Sequence, residues 1–483
     1  MIRDKVLTAI RWTAIARFSG QMFTWVVTIF VIRILSPADY GMMAMAMVLT
    51  SLLFLINNIG LDSVLIQRPN LDERMRAQIF GTVIVTNVLC FLLMILAAEP
   101  LARFFNEPEL TILIQVLAIQ FLILVFEALP LSAMERELDF KKRSIVEFVT
   151  MLATSLITLA LALAGTGVWA LVIGHLAAQA SRILGFNLIT RCLCRPRFSL
   201  RGMKDVFSFG GFVSVDKILW FVFAESDKFV GGKMLGKDLL GFYSVANHLA
   251  SLPINKIAGL ITSVAFPAFS KIHLDLQAVR SYLLKAVRMM SLFAFPVFFG
   301  MSSVAHSAVV LFLGDKWLGA IVPLQILAIV MPVRMISTVV PPVLWGIGQP
   351  RTSAGNFFIA SIIMVPAFVI GAGYGPVGLA MAWALAYPVV FFIKMLRTTN
   401  SVDMSIWTLL GGMLRPALAS AGMYAAVVVA KPYVVGEAGQ VLYLLQLVGV
   451  GAIAYAGLVY LIYRDGLKEA LALFQRGGTN DGA

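Results

Sequence analysis

Charge is scarce in this chain: Asp, Glu, Lys and Arg make up 13% of its 483 residues, while 60% are hydrophobic. Soluble domains carry about 25% charged residues and about 45–50% apolar ones. No polar stretch is long enough to house a separate soluble domain of ordinary size. The scarcity excludes a soluble protein with a large core and implies a polytopic membrane protein. Cysteine is also rare. Cys90 lies in an apolar run, and Cys192 and Cys194 form RCLCRP, a C-x-C without the third and fourth ligands of a zinc site. Free thiols at a cytoplasmic helix end are the expectation. His175 and His248 fall inside apolar runs with no companion at metal spacing, so they are read as helix–helix hydrogen-bonding residues and no metal is expected. A P-loop is absent. The N-terminal MIRDKVLTAIRW lacks an apolar core followed by a small-residue cleavage site, and it is expected to be retained.

What is present is a succession of apolar windows about 20 residues long, enough to cross hydrocarbon. They lie near 11–35, 41–60, 79–98, 110–131, 145–165, 168–189, 206–231, 239–267, 284–303, 321–345, 355–373, 376–396, 406–429 and 441–462. Fourteen spans are therefore expected. The connections on one side, with the N-terminus, carry about 25 Lys or Arg, and those on the other about five. The positive-inside rule places both termini in the cytoplasm. The net charge of +13 then reflects orientation and attraction to anionic lipid, and no nucleic-acid partner is needed.

The chain also echoes itself. IQVLAI at 114–119 returns as LQILAI at 324–329, RILSPADYG at 33–41 as KMLGKDLLG at 233–241, and GTGVWAL at 165–171 as GYGPVGLA at 373–380. Offsets of about 200–210 in constant order predict two copies of a six-span unit, residues 1–200 and 201–400, with 401–483 as two added spans and a tail. An even number of spans makes the copies parallel, a transporter arrangement.

RILSPADYG, MERELDFKKRS, GTGVWALVIG and LLGFYSVANHL, in that order over essentially the whole chain, resemble polysaccharide transport proteins. These form the Wzx-type branch of the multidrug/oligosaccharidyl-lipid/polysaccharide exporter superfamily. The resemblance implies an all-α fold of about fourteen transmembrane helices, with two six-helix lobes in a V around a central cavity that is often cationic. It implies a flippase, not an enzyme, in a bacterial inner membrane. Its substrate is an undecaprenyl-pyrophosphate-linked oligosaccharide, moved from the cytoplasmic to the periplasmic leaflet for exopolysaccharide, O-antigen or capsule assembly. Membrane lipids, and the polysaccharide polymerase and co-polymerase, are the implied partners. Two other readings within the superfamily are a cation-coupled drug exporter and a lipid II-type flippase. A membrane glycosyl polymerase or ligase is disfavoured, because such enzymes need a sizeable outward loop and every outward loop here is short.

Charged side chains deep in a span face protein or a wet cavity. Arg17, Lys217, Lys256 and Arg334 are the expected cavity cations for a pyrophosphate, arginine being suited to gripping two phosphate oxygens at once. Internal salt bridges or snorkelling are the alternatives for each. Asp216, Glu127, Glu225, Asp227 and Lys228 are candidates for a gate or for coupling to Na⁺ or H⁺, while the membrane potential is a drive that requires neither ion. Arg33 and Lys233 recur at one repeat position and are read as boundary anchors. Bends are expected around Pro332 and the Pro341-Pro342 pair.

Overall fold

The computed structural model describes residues 20–57, 73–136, 140–190, 192, 194–199, 204–434, 439–464 and 466. In the helical stretches 56–57, 135–136, 140–141, 204–215 and 256–264 only the backbone is described. Within these limits the regular structure is entirely helical. The helices are α1 (Gly20–Ile34), α2 (Pro37–Asn57), α3 (Glu73–Phe105), α4 (Leu110–Leu124), α5 (Ala128–Arg136), α6 (Phe140–Leu163) and α7 (Val168–Thr190). They continue with α8 (Lys204–Lys271), α9 (Leu276–Phe312), α10 (Ile321–Ile336), α11 (Val340–Gly346), α12 (Pro350–Ala372), α13 (Gly375–Ser401), α14 (Ile406–Ala430) and α15 (Gln440–Ile462). Where the apolar windows fall on described residues they coincide with helix, apart from window ends, the turn at 125–127 and the 3₁₀ segment described below.

Among the described residues, nine of these helices and the run Asp315–Gly346, which contains α10 and α11, are long and apolar enough to cross a membrane, making ten spans, or eleven if the bent pair α4–α5 counts as one. The expected fourteen is thus not reached by length and apolarity among the described residues. Two of the three missing windows have visible causes. α1 is short where its description begins. The window 206–231 within α8 holds Asp216, Lys217, Glu225, Asp227 and Lys228, which lower its apolarity.

Two compact units emerge, residues 1–241 and 242–483. The division of the sequence into copies at 200/201 concerns repetition, and the first unit extends past it to include the opening of α8. In the first unit α3 packs on α4, and α6 on α7, with α4 also lying along α7. Val27, Val31 and Leu35 pack with Ala162 and Ala170 in its core. In the second unit α9 lies on α10 and α14, α12 on α13, and α10 on α13. Trp317, Trp383, Tyr243, Tyr387, Phe298 and Phe368 are its largest fully buried side chains.

α8 is broken at Gly236, whose φ of 74° and ψ of 179° no helix accommodates and which glycine adopts without a Cβ clash. The break separates two arms that match the windows 206–231 and 239–267. Just beyond it lies the crossing of α2 and α8. A Cβ on Gly41 would stand 1.8 Å from the Lys237 carbonyl oxygen, and one on Gly241 would stand 1.8 Å from that of Pro37. The two glycines occupy the same position in RILSPADYG and KMLGKDLLG. Each copy thus supplies the small residue that admits the other's backbone, a local two-fold relation.

The fourth span of each copy is also interrupted at corresponding places. In the first copy the chain turns at Val125–Glu127 and bends by 49° into α5. In the second, a 3₁₀ turn at Ser337–Val339 separates α10 from α11. Pro341 and Pro342 lack N–H groups, so the carbonyls of Ser337 and Thr338 lose their helical donors and the turn tightens. The bend expected around these prolines is therefore an α-to-3₁₀ transition five residues after Pro332.

Candidate functional site at the seam of the fourth and sixth helices

In each unit the interrupted fourth helix lies along the sixth, and this seam carries polar chemistry in an apolar setting. In the first unit α7 presents His175, Gln179 and Arg182, spaced so that all three share one helix face. His175 Nε2 is 3.0 Å from Gln120 Oε1, and Gln120 is 1% exposed. Arg182 donates to Gln179 Oε1 at 2.8 Å and pairs with Glu127 Oε1 at 2.7 Å. Asn187 donates to the Phe126 carbonyl at 2.8 Å, satisfying an acceptor freed by the bend. The α4–α5 break thus directs the Glu127 carboxylate and the Phe126 carbonyl toward α7. The result is a neutral, hydrogen-bonded seam.

In the second unit the corresponding positions hold different residues. His175 and Gln179 map onto Trp383 and Tyr387 at an offset of 208, and Glu127 maps onto Ser337 at 210. The Arg334 guanidinium lies 3.8 Å from the centroid of the Trp383 ring. Its position is set from several sides. Trp383 Nε1 donates to the Tyr243 hydroxyl at 2.8 Å, and the indole packs against Phe368 and Tyr387 at centroid distances of 5.2 and 5.5 Å. Ser337 donates to the Arg334 carbonyl at 3.1 Å and is 2.5 Å from the Tyr387 hydroxyl, so the tyrosine proton points to Ser337 Oγ. Met331 Sδ, at 3.6 Å, is a weak acceptor for Arg334 Nη1. Among the described residues Arg334 has no carboxylate partner, and it is only half-buried. A guanidinium has five N–H donors in a planar fork, so most of its capacity stays available while the cation–π contact holds it in place. A guanidinium presented in this way has the donor geometry that suits a carboxylate or phosphate oxygen pair.

The other described candidates belong to the first unit. Glu127 is the partner of Arg182. Glu225 pairs with Lys228 at 2.7 Å, one turn apart on α8, and Asp227 Oδ1 accepts from the Lys228 amide at 2.7 Å while being fully buried. Asp216 is buried and Lys217 half-buried on the same arm. Arg17 and the Lys256 side chain lie outside the described residues. Arg33 is exposed near the end of α1, and Lys233 is exposed and donates to the Phe104 carbonyl at 2.6 Å. Arg182, Gln179, Trp383, Tyr387 and Tyr243 were not singled out by the sequence. The signals that could have found them are the His175/Gln179/Arg182 spacing and its 208-residue echo.

Residues 30–322 match the model of a family described as polysaccharide biosynthesis protein. The chain is 31% identical over 285 residues to the teichuronic acid biosynthesis protein TuaB of Bacillus subtilis, covering 58% of this chain and 59% of that one. It is 26% identical over 426 residues to the lipopolysaccharide biosynthesis protein WzxC of Escherichia coli, covering 87% and 84%. The succinoglycan biosynthesis transport protein ExoT of Rhizobium meliloti is 25% identical, with coverage of 77% and 75%. The chain thus spans under two thirds of the first relative and most of the other two. Among solved structures, the lipid II flippase MurJ in an inward closed conformation superposes with a TM-score of 0.73 at 15% identity, over 94% of this chain and 99% of that one. An inward-facing multidrug resistance MATE family transporter reaches 0.58 at 17% identity, over 81% and 99%. Both likenesses establish the fold.

Proposed function

The chain belongs to the polysaccharide biosynthesis protein family, and from that premise we propose that it is a flippase for lipid-linked oligosaccharide. Its substrate is an undecaprenyl-pyrophosphate-linked repeat unit, moved from the cytoplasmic to the periplasmic leaflet of a bacterial inner membrane by alternating access. Both termini then lie in the cytoplasm. The chain is a transporter that makes and breaks no covalent bond, and any polymerase or co-polymerase acts on its product. The observation that carries this reading is Arg334: a cation in an apolar helix, held on an aromatic platform without a carboxylate partner among the described residues.

A sugar head group and a charged diphosphate cannot cross hydrocarbon unaided at a useful rate. A guanidinium that binds phosphate oxygens replaces part of their hydration while the polyprenyl tail stays in lipid. The membrane potential, negative inside, favours outward movement of an anion by about 2.3 kcal/mol per charge per 100 mV. That drive needs no ATP, and coupling to Na⁺ or H⁺ would be an addition to it. A drug exporter for organic cations would need an acid where this seam has Arg334.

The test is deletion of the gene followed by analysis of lipid-linked intermediates. Completed repeat units should accumulate on the cytoplasmic leaflet and disappear on complementation. Unpolymerised units on the periplasmic side would indicate a polymerase and refute the reading. Flipping in proteoliposomes that ignored both imposed potential and ion gradients would refute the proposed drive.

A further inference from the structure

The α12–α13 pair carries a second cluster, well removed from Arg334. It lies at the helix ends joined to QPRTS and KMLRTTN, connections that the charge pattern assigns to the cytoplasm. Ser353 and Asn356 are one turn apart near the start of α12, and Lys394 and Arg397 one turn apart near the end of α13. The two pairs meet. The Lys394 ammonium is 4.6 Å from the centroid of the Phe357 ring, beside Asn356. The Arg397 guanidinium lies against Gly355, with Nη2 2.9 Å from where a Cβ would stand. Ser353 and Asn356 are each 1% exposed and Lys394 is 3% exposed, while Arg397 is half-buried and forms the outer edge.

Four buried atoms here have no hydrogen-bonding partner among the described residues: Ser353 Oγ, both Asn356 side-chain atoms, and Arg397 Nε. Buried polar atoms are nearly always satisfied, and exceptions call for an explanation such as a bound ion or water. Three of the four can donate, and they stand beside two cations. Asn356 lies about 9 Å along α12 from its first residue, near the depth at which headgroups give way to hydrocarbon. Along α13, Lys394 is about 16 Å from Trp383.

We propose that this cluster is a binding site for a phosphate oxyanion, separate from the Arg334 seam and independent of the flipping reading. Lys394 and Arg397 supply the charge. The Asn356 amide and the Ser353 hydroxyl donate to one phosphate oxygen, and the outer edge of Arg397 faces the rest of the group. The phosphate comes either from a membrane phospholipid headgroup or from free inorganic phosphate.

The experiment uses the purified full chain in detergent, stripped of lipid, and reads its unfolding temperature. Dioleoylphosphatidylglycerol, dioleoylglycerol and inorganic phosphate are titrated separately against wild type, Lys394→Met and Asn356→Leu. A ligand present at about 100 times its Kd raises the unfolding temperature measurably. Wild type should rise by several degrees with phosphatidylglycerol or with phosphate and remain unmoved by dioleoylglycerol. A response to the lipid alone identifies a headgroup site, and a response to phosphate alone identifies a free-anion site. Both variants should lose the response. Without ligand, Asn356→Leu should be at least as stable as wild type, because it removes unpaired polar atoms, which shows that the lost response is not misfolding. Equal responses in wild type and both variants, or no wild-type response to either phosphate source, would overturn the proposal.

Discussion

The Arg334 guanidinium lies 3.8 Å from the centroid of the Trp383 ring, and Trp383 is itself held by a 2.8 Å hydrogen bond to Tyr243. Positioning and chemistry are therefore divided between different residues. Trp383 fixes where the cation sits, and on the proposed reading the cation binds the anion. A cation–π contact of this kind contributes about 0.5–2 kcal/mol depending on desolvation. Replacing Arg334 with Ala should abolish or strongly reduce export at unchanged protein levels. Trp383→Leu should weaken export by about two- to thirty-fold, which corresponds to that range of energy, with Arg334 still present. Complementation of a deletion strain, with surface polysaccharide quantified against immunoblotted protein, measures both. Full export in Arg334→Ala would remove this residue from the transport path.

The seam of the first unit should behave differently, because Arg182 is already neutralised by Glu127 at 2.7 Å. Replacing Glu127 with Gln leaves a half-buried guanidinium without its partner. A fully buried pair loses more, and the roughly one-third exposure of Arg182 limits this loss to about 1–2 kcal/mol. The double variant Glu127→Leu/Arg182→Met should recover most of that stability and retain export. Thermal unfolding of Glu127→Leu, Arg182→Met and the double variant gives the coupling energy directly. A stable double variant that cannot export would show that the pair takes part in transport.

Much of the fold was legible because membrane helices impose simple demands. Apolar windows long enough to cross hydrocarbon announce themselves, and helix occupies nearly all of their described residues. Repetition was legible for a related reason: close backbone approach at Gly41 and Gly241 preserves short phrases even where side chains diverge. Arg334 stood out because one cation in a long apolar run is costly and conspicuous. Trp383 and Tyr387 did not, since aromatic residues are common in spans and gain meaning only from what touches them. Arg182, near a span end, was indistinguishable from a charge that orients the helix. Lys394 and Arg397 were absorbed into the positive-inside count, and nothing in the sequence shows that Lys394 points into protein rather than toward solvent. The bend at Val125–Glu127 had no such proline pair to announce it; its counterpart in the second copy did.

The α2–α8 crossing yields a steric prediction. A Cβ at Gly41 or Gly241 would overlap a backbone carbonyl, at 1.8 Å in each case, and backbone cannot rotate away as a side chain can. Gly41→Ala and Gly241→Ala should each destabilise by at least about 2 kcal/mol, the upper part of the range for overpacking. Gly411→Ala is the matched control, since a Cβ there meets nothing within 4 Å. It should be neutral or stabilising by up to about 1 kcal/mol through helix propensity. Unfolding temperatures in detergent distinguish the three. Wild-type stability in Gly41→Ala would mean that the crossing opens freely.

Near that crossing, Lys237 Nζ is 2.9 Å from Glu107 Oε2. The hydrogen bond to Glu107, outweighing partial burial, holds the Lys237 ammonium above its ordinary value of 10.5. A raised lysine value means that the folded state binds its proton more tightly than the unfolded state does. The contribution to stability is therefore complete below about pH 10.5 and declines as pH rises through the folded value. Both side chains are partly exposed, so the pair contributes no more than about 1 kcal/mol. Glu107→Gln should lower the unfolding temperature slightly and equally across pH 7–9, and its difference from wild type should shrink above pH 10.5. Added salt should shrink that difference only partially, because the carboxylate is less exposed than a free surface group. A difference that grew with alkalinity would assign the stabilisation to something other than this proton.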